Sequence, residues 1–391
     1  MLSILTNARV LVGREIVDDH VVVVDGATIK GVVRAADAPR GEARDLGGAL
    51  LLPGFLDIQV NGGNGRLFND SPDVETIRHI GAAHRRYGTT GFLPTLISDE
   101  LDVIEAAIGA VGAAIEESVP GVLGIHIEGP FLSTDKKGVH DPARFRRLKP
   151  EHVRLLTSLK RGKTLVTLAP ENASPDLVRD LVRAGVVVSA GHTDASYSVM
   201  RACLDAGVTG FTHLFNAMSH MSSREPGVVG AALEDQKSWC GLIVDGKHVA
   251  PALLKIALRC KPIDKFMLVT DAMPTVGMEH KEFRLQGRVI TVEDGVCVAE
   301  GGTIAGSDLA MSTAVKNAID MLGVEIIDAA KMASLNPARF LGLESSLGEI
   351  APGRRASLVA LDDAFNVVET WIDGVASGPA VEIRAALGSP R

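Results

Sequence analysis

Apolar residues change their spacing twice along this chain. Over residues 1 to about 50 they come in short runs broken by turn residues. Ser3–Arg9, Val21–Val24 and Thr28–Val33, with Asp25-Gly26 between the last two, predict short strands. From Leu51 the pattern becomes eight apolar or β-branched segments, most of them separated by helical spacing: Leu51–Val60, Thr89–Ile97, Val122–Glu128, Thr164–Ala169, Val186–Ala190, Gly210–Phe215, Gly241–Val244 and Phe266–Thr270. Helix signals lie between them. Ser71-Pro72-Asp73 predicts an N-cap with proline at the first helical position and a stop at Gly88. Ser174-Pro175-Asp176 repeats the device, and Asp194 is placed to cap Ala195–Ala206. Strands alternating with helices predict a (β/α)8 barrel, and no GxGxxG follows any strand to favour an open doubly wound sheet. Beyond the eighth segment, Phe283–Leu285, Val289–Val292 and Gly295–Val298 predict an inserted strand pair. Helices are expected at Asp308–Leu322 and Ile326–Leu335, and β patterning returns at Ala356–Asp362 and Val367–Ile372. The expected fold class is α/β: a TIM-like barrel over residues 53–346, with a small β-sandwich domain built from residues 1–52 and 347–391.

Placing the polar residues on the predicted strand ends brings them together. Strand 1 ends in Gln59-Val60-Asn61, strand 3 in His126-Ile127-Glu128, strand 5 in Gly191-His192, strand 6 in Thr212-His213 and strand 8 in Thr270-Asp271. The C-terminal face of such a barrel is where ligands and catalytic groups collect. One carboxylate and two imidazoles make the three-ligand set of a catalytic zinc, and an aspartate opposite can shuttle a proton. A lone histidine at a strand end usually has a structural role, and a lone Asp271 could cap a helix. Joint placement on four strands favours the metal hydrolase.

Composition narrows the setting. Hydrophobic residues make up 46% of 391, ample for a large core, and a net charge of −8 argues against a nucleic-acid surface. Four cysteines (Cys203, Cys240, Cys260, Cys297) show no metal-ribbon spacing and read as free thiols of a reducing cytoplasm. Neither a signal peptide nor an apolar run long enough to span a bilayer is expected.

The motifs IEGPF, SAGHTDA, THLFNAM, REPG, DGKH and TDAM, in this order, resemble the N-acetylglucosamine-6-phosphate deacetylase family of the amidohydrolase superfamily, and so do PGFLDIQVNGG and GEIAPGRRASLVALD. The resemblance implies hydrolysis of the acetamide of a sugar phosphate in amino-sugar catabolism, in the cytoplasm, by a homodimer without nucleic-acid or membrane partners. It implies Glu128, His192 and His213 as ligands of one divalent cation, zinc above all, with Asp271 as acid/base and His140 steadying the oxyanion. Asn216, the backbone of Ala217 and Arg224 match the phosphate positions. Val139 with His140, Asp245 with His248, and Ile304-Ala305-Gly306 match sugar-binding positions. His-x-His on strand 1, which holds a second metal in many superfamily members, is Gln59-Val60-Asn61 here. Neutral amides are poor ligands for such a metal, so one ion is expected. The rivals are the same reaction on the galacto epimer, a cyclic amidase of the dihydroorotase kind, and a barrel that binds sugar phosphate without catalysis. His126 is expected to support the site and not to bind the metal, and Lys136-Lys137 could meet an anion or simply face solvent.

Overall fold

A computed structural model describes residues 2–378. Its centre is an eight-stranded parallel sheet. The strands are Phe55–Val60, Thr89–Ile97, Gly124–Glu128, Lys163–Leu168, Val187–Ala190, Gly210–Phe211, Trp239–Leu242 and Phe266–Leu268, here barrel strands 1 to 8. Each pairs with the next in sequence order. Strand 8 meets strand 1 through a bridge between Val60 and Ala272 and a bond from Asn61 N to Ala272 O. The ring thereby closes into a barrel, whose strands are buried almost throughout, as expected when helices cover a parallel sheet.

Helix boundaries follow local chemistry more closely than the sequence reading did. Ser174 caps Pro175–Arg183 by accepting from Leu177 N, with proline at the first position, as expected. Asp73, not Ser71, caps Val74–Arg85, accepting from Thr76 N. Ser196, not Asp194, caps Tyr197–Ala206. Backbone N–H groups at the helix start select whichever side chain stands in register, and two nearby Asp/Ser candidates look alike in sequence.

Leu51–Val60 divides into two strands. Leu50–Pro53 joins a six-stranded sheet with Arg9–Val12, Leu358–Leu361 and Val367–Ile372, while Phe55–Val60 enters the barrel. A second sheet of four strands contains Leu2–Thr6, His20–Asp25, Thr28–Arg34 and Glu42–Asp45. Leu5, Val10, Val22, Ile29, Leu51, Leu358 and Trp371 form one apolar core shared by these sheets, so both chain ends build one β-sandwich. The part of the expected C-terminal segment beyond residue 378 lies outside the described residues. The insertion after strand 8 is four strands, not a pair: Glu282–Leu285, Arg288–Glu293, Val296–Ala299 and Ile304–Ser307. Its last strand bridges back to the barrel through Ala272 and Ser307.

Candidate active site

At the C-terminal ends of the barrel strands lies a cavity of about 410 Å³, lined by Glu128, His140, His192, His213, His248 and Asp271 among others. Three of its residues leave their strands abruptly: His192, His213 and Asp271 have φ of 48°, 36° and 51°. Left-handed backbone is costly for a side chain with a Cβ, and it accumulates at functional sites. It turns the side chains inward two or three residues past the end of each strand.

Glu128, His192 and His213 converge. His213 Nε2 lies 3.0 Å from Glu128 Oε1 and 3.1 Å from His192 Nε2, which is itself 3.4 Å from Glu128 Oε1. Tetrahedral ligands at zinc-like bond lengths sit about 3.3 Å apart, so these donor atoms fit one divalent cation. His192 Nδ1 lies 2.9 Å from the Lys136 carbonyl and must donate to it, which leaves the lone pair on Nε2. Burial pushes the Glu128 carboxyl up, but the neighbouring His192 and His213 outweigh it and hold the group well below its usual range. It is a carboxylate, the form a cation needs.

Donor atoms of Glu128, His140 and His192 also come within 4.8 Å of one another. The set with His213 is the better ligand set, because it is tighter and because His140 is otherwise engaged. The Nδ1 atom of His140 accepts from Ser98 N at 3.3 Å and lies 2.8 Å from Ser98 Oγ. Burial, then the neighbouring His192, push its pKa down to about 3, so the ring is neutral and carries its proton on Nε2. His140 is thus a donor in the cavity wall. Ser98, just past strand 2, went unnoticed in the sequence because only its bond to His140 distinguishes it from an ordinary loop serine.

Asp271 faces the ligand set across two amides. Asn61 Nδ2 donates to its Oδ1 at 2.7 Å, and Gln59 Nε2 at 3.2 Å. Gln59 Nε2 is also 3.3 Å from Glu128 Oε1. The two neutral side chains therefore present hydrogen-bond donors to both carboxylates at the end of strand 1. Burial, and then the charge of Glu128, raise the Asp271 pKa. Beneath it Asp57, fully buried, accepts from Thr270 Oγ1 at 2.5 Å, and burial pushes its pKa up to about 7.

The expected substrate contacts divide. Val139, Asn216, Ala217, His248, Ile304, Ala305 and Gly306 line the cavity. Asn216 Nδ2 is turned to the His213 carbonyl at 3.1 Å. Asp245 does not line it but holds His248 through Oδ2 and Nδ1 at 2.5 Å, and His248 Nε2 is buried without a partner among the described residues. Arg224 is exposed and outside the cavity lining, with no carboxylate within 4 Å among the described residues. Lys136 lines the cavity and pairs with Asp194 at 3.4 Å, while Lys137 does not line it. Ile97 and Thr303 add walls that no motif announced, and Met273, the last residue of TDAM, adds another.

Comparison with known proteins bears on this arrangement. The Amidohydrolase family matches residues 50–376 and the NagA composite domain residues 4–51. The chain belongs to the amidohydrolase family. This amidohydrolase is 43% identical to the N-acetylgalactosamine-6-phosphate deacetylase of Shewanella sp. (strain ANA-3), over 83% of this chain and 82% of that one. It is 36% identical to the N-acetylglucosamine-6-phosphate deacetylase of Haemophilus influenzae, covering 95% and 98%. Its fold matches the crystal structure of N-acetylglucosamine-6-phosphate deacetylase from Pasteurella multocida with a TM-score of 0.93 at 34% identity, covering 96% and 100%. The deacetylase resemblance read from the motifs thus extends over nearly the whole chain.

Proposed function

We propose that this amidohydrolase hydrolyses the acetamide of N-acetyl-D-glucosamine 6-phosphate to D-glucosamine 6-phosphate and acetate. The observation that carries this reading is the pairing of a three-donor set (Glu128, His192, His213) with a buried Asp271 across one cavity. The cation is taken to be zinc, and when bound it would acidify water and polarise the amide carbonyl. Asp271, oriented by Asn61 and Gln59, accepts the proton of the attacking water and returns it to the departing amine nitrogen. Its raised pKa suits a group that must hold that proton between the two transfers. His140 donates from Nε2 to the carbonyl oxygen as negative charge gathers there. His248, fixed by Asp245, offers its free Nε2 to the sugar, and the phosphate is assigned to Asn216, the backbone of Ala217 and Arg224. The working form is taken to be a cytoplasmic homodimer.

The 43% identity to an N-acetylgalactosamine-6-phosphate deacetylase supports a second reading, the galacto epimer as preferred substrate. Acetate release from both sugar phosphates by the purified protein decides between them, and release from neither would overturn the deacetylase reading. Asp271→Asn should retain one equivalent of zinc while turnover falls by at least about 10²–10⁴-fold, the usual contribution of general acid/base catalysis. Near-normal turnover in that variant would remove Asp271 from the reaction.

A further inference from the structure

Beneath the ligand set, inside the barrel, runs a chain of four buried polar side chains. His126 Nε2 lies 2.7 Å from Thr167 Oγ1, Thr167 Oγ1 lies 2.6 Å from Thr212 Oγ1, and Thr212 Oγ1 lies 2.7 Å from Ser189 Oγ. Their exposures are 1%, 0%, 6% and 2%, so solvent satisfies none of them. They sit on strands 3, 4, 6 and 5 or at their ends, and the reaction outlined above uses none of them.

Each is placed close to a proposed cation ligand. His126 precedes Glu128 by two residues on one strand, and Thr167 is the register partner of Glu128 on the next. Thr212 is bonded directly to His213 along the chain. Ser189 pairs in register with Thr167 and lies three residues before His192. Gly191, immediately before His192, packs so tightly on this chain that a Cβ there would meet Thr167 Cγ2 at 2.7 Å and Thr212 Cβ at 3.1 Å.

The chain reaches strand 2 at its other end, where His126 Nδ1 lies 3.4 Å from Thr95 Oγ1. Each hydroxyl can both donate and accept, so every contact along the chain can join a donor to an acceptor. Hydrogen bonds linked in this way polarise one another.

We propose that His126, Thr167, Thr212 and Ser189 are positioning residues: a hydrogen-bonded belt that sets the separation of the strands delivering Glu128, His192 and His213. Apolar contacts resist sliding only weakly, whereas a directional O···O contact fixes both distance and angle. A metal centre needs its ligands held within about 0.5 Å. The inference rests on the cation reading given above.

Thr167 provides the test, since its strand carries no ligand. Thr167→Val removes the hydroxyl and keeps the shape. Zinc affinity, measured by competition with a chromophoric chelator, should weaken about 10–100-fold, the usual cost of losing a group that orients ligands. Thr167→Ser should restore it to within about threefold of the parent. Ser189→Ala, at the end of the belt and with little volume to lose, should weaken zinc in the same direction by less than Thr167→Val, and it serves if the valine variant fails to fold. Parent-like zinc affinity in every hydroxyl-deleted variant that folds would overturn the belt as a positioning device while leaving the cation reading intact. A parent protein that binds no zinc would overturn both.

Discussion

His84 is a side chain that the proposed reaction does not use, yet its burial makes it one of the groups that set how the molecule responds to acid. It is fully buried, its Nε2 donates to the Gly62 carbonyl at 2.8 Å, and its Nδ1 has no partner among the described residues. Burial, opposed only in part by that bond, pushes its pKa down to about 4. An unfolded histidine titrates near 6.5, so between these values the unfolded chain binds more protons than the native one, and stability must rise with pH. The contribution is fully present above about pH 6.5 and is lost as pH falls toward 4. At about 1.4 kcal/mol per unit, a shift from 6.5 to about 4 makes the loss about 3.5 kcal/mol at most. His84→Gln can keep a donor to Gly62 without a titrating ring. Denaturant unfolding from pH 7 to pH 4.5 should therefore show a shallower decline in the variant; parallel declines would mean that His84 does not govern this window. Nothing in the sequence marked His84, because its burial is decided by the loop after strand 1. Glu128, His192, His213 and Asp271 were legible as a group because each lies at, or within three residues of, the C-terminal end of a strand that the apolar pattern marked.

At the scale of elements, the barrel was legible and its edges were not. A run of apolar residues shows that a strand exists, but pairing decides where it stops. Gly210–Phe211 is the paired part of a six-residue segment, because the chain turns into left-handed backbone at His213 and Phe215. The fourth strand of the insertion, Ile304–Ser307, escaped notice since Ile-Ala-Gly-Ser lacks alternation and is held by pairing with Val296–Ala299 and with Ala272. That strand brings Gly306 to the cavity with φ 79°, where a Cβ would meet Met273 Cγ at 2.6 Å and the Asp271 carbonyl at 2.9 Å. Gly306→Ala must therefore either strain the backbone or push away the segment that carries Asp271. Strain of this kind is about 1–3 kcal/mol. The variant should melt lower than the parent and lose about tenfold or more in kcat/KM, using about 1.4 kcal/mol per factor of ten. Parent-like values for both would show that the insertion yields freely and does not set the position of Asp271.

Across the whole molecule, the arrangement of the ends followed from a packing argument: two β-patterned ends flanking a barrel have each other as the simplest partner. Arg44 near one end and buried Glu369 near the other make a two-point ion pair at 3.0 and 3.1 Å across the sandwich. Charge is the remaining global property. A net charge of −8 opposes a dianionic phosphate at long range, so recognition of it must be local. Among the described residues lining the cavity, Lys136 is the one lysine or arginine, and Asp194 already pairs with it. Arg224 has no such competitor among the described residues: Glu225 accepts instead from Tyr197 N at 2.7 Å and Gly227 N at 2.9 Å. An exposed guanidinium kept clear of the adjacent carboxylate is available to an incoming anion, and its planar fork suits phosphate. A hydrogen bond to a charged group contributes about 1.5–3 kcal/mol, whereas an exposed ion pair on the protein surface contributes about 0–1 kcal/mol. Arg224→Ala should therefore lower kcat/KM for the phosphorylated sugar by about ten- to several-hundred-fold, at about 1.4 kcal/mol per factor of ten. Activity on the unphosphorylated sugar, measured alongside, should be nearly unchanged. Equal losses on both substrates would assign Arg224 to the fold or the chemistry, and no loss on either would leave the phosphate to Asn216, the Ala217 backbone and Lys136.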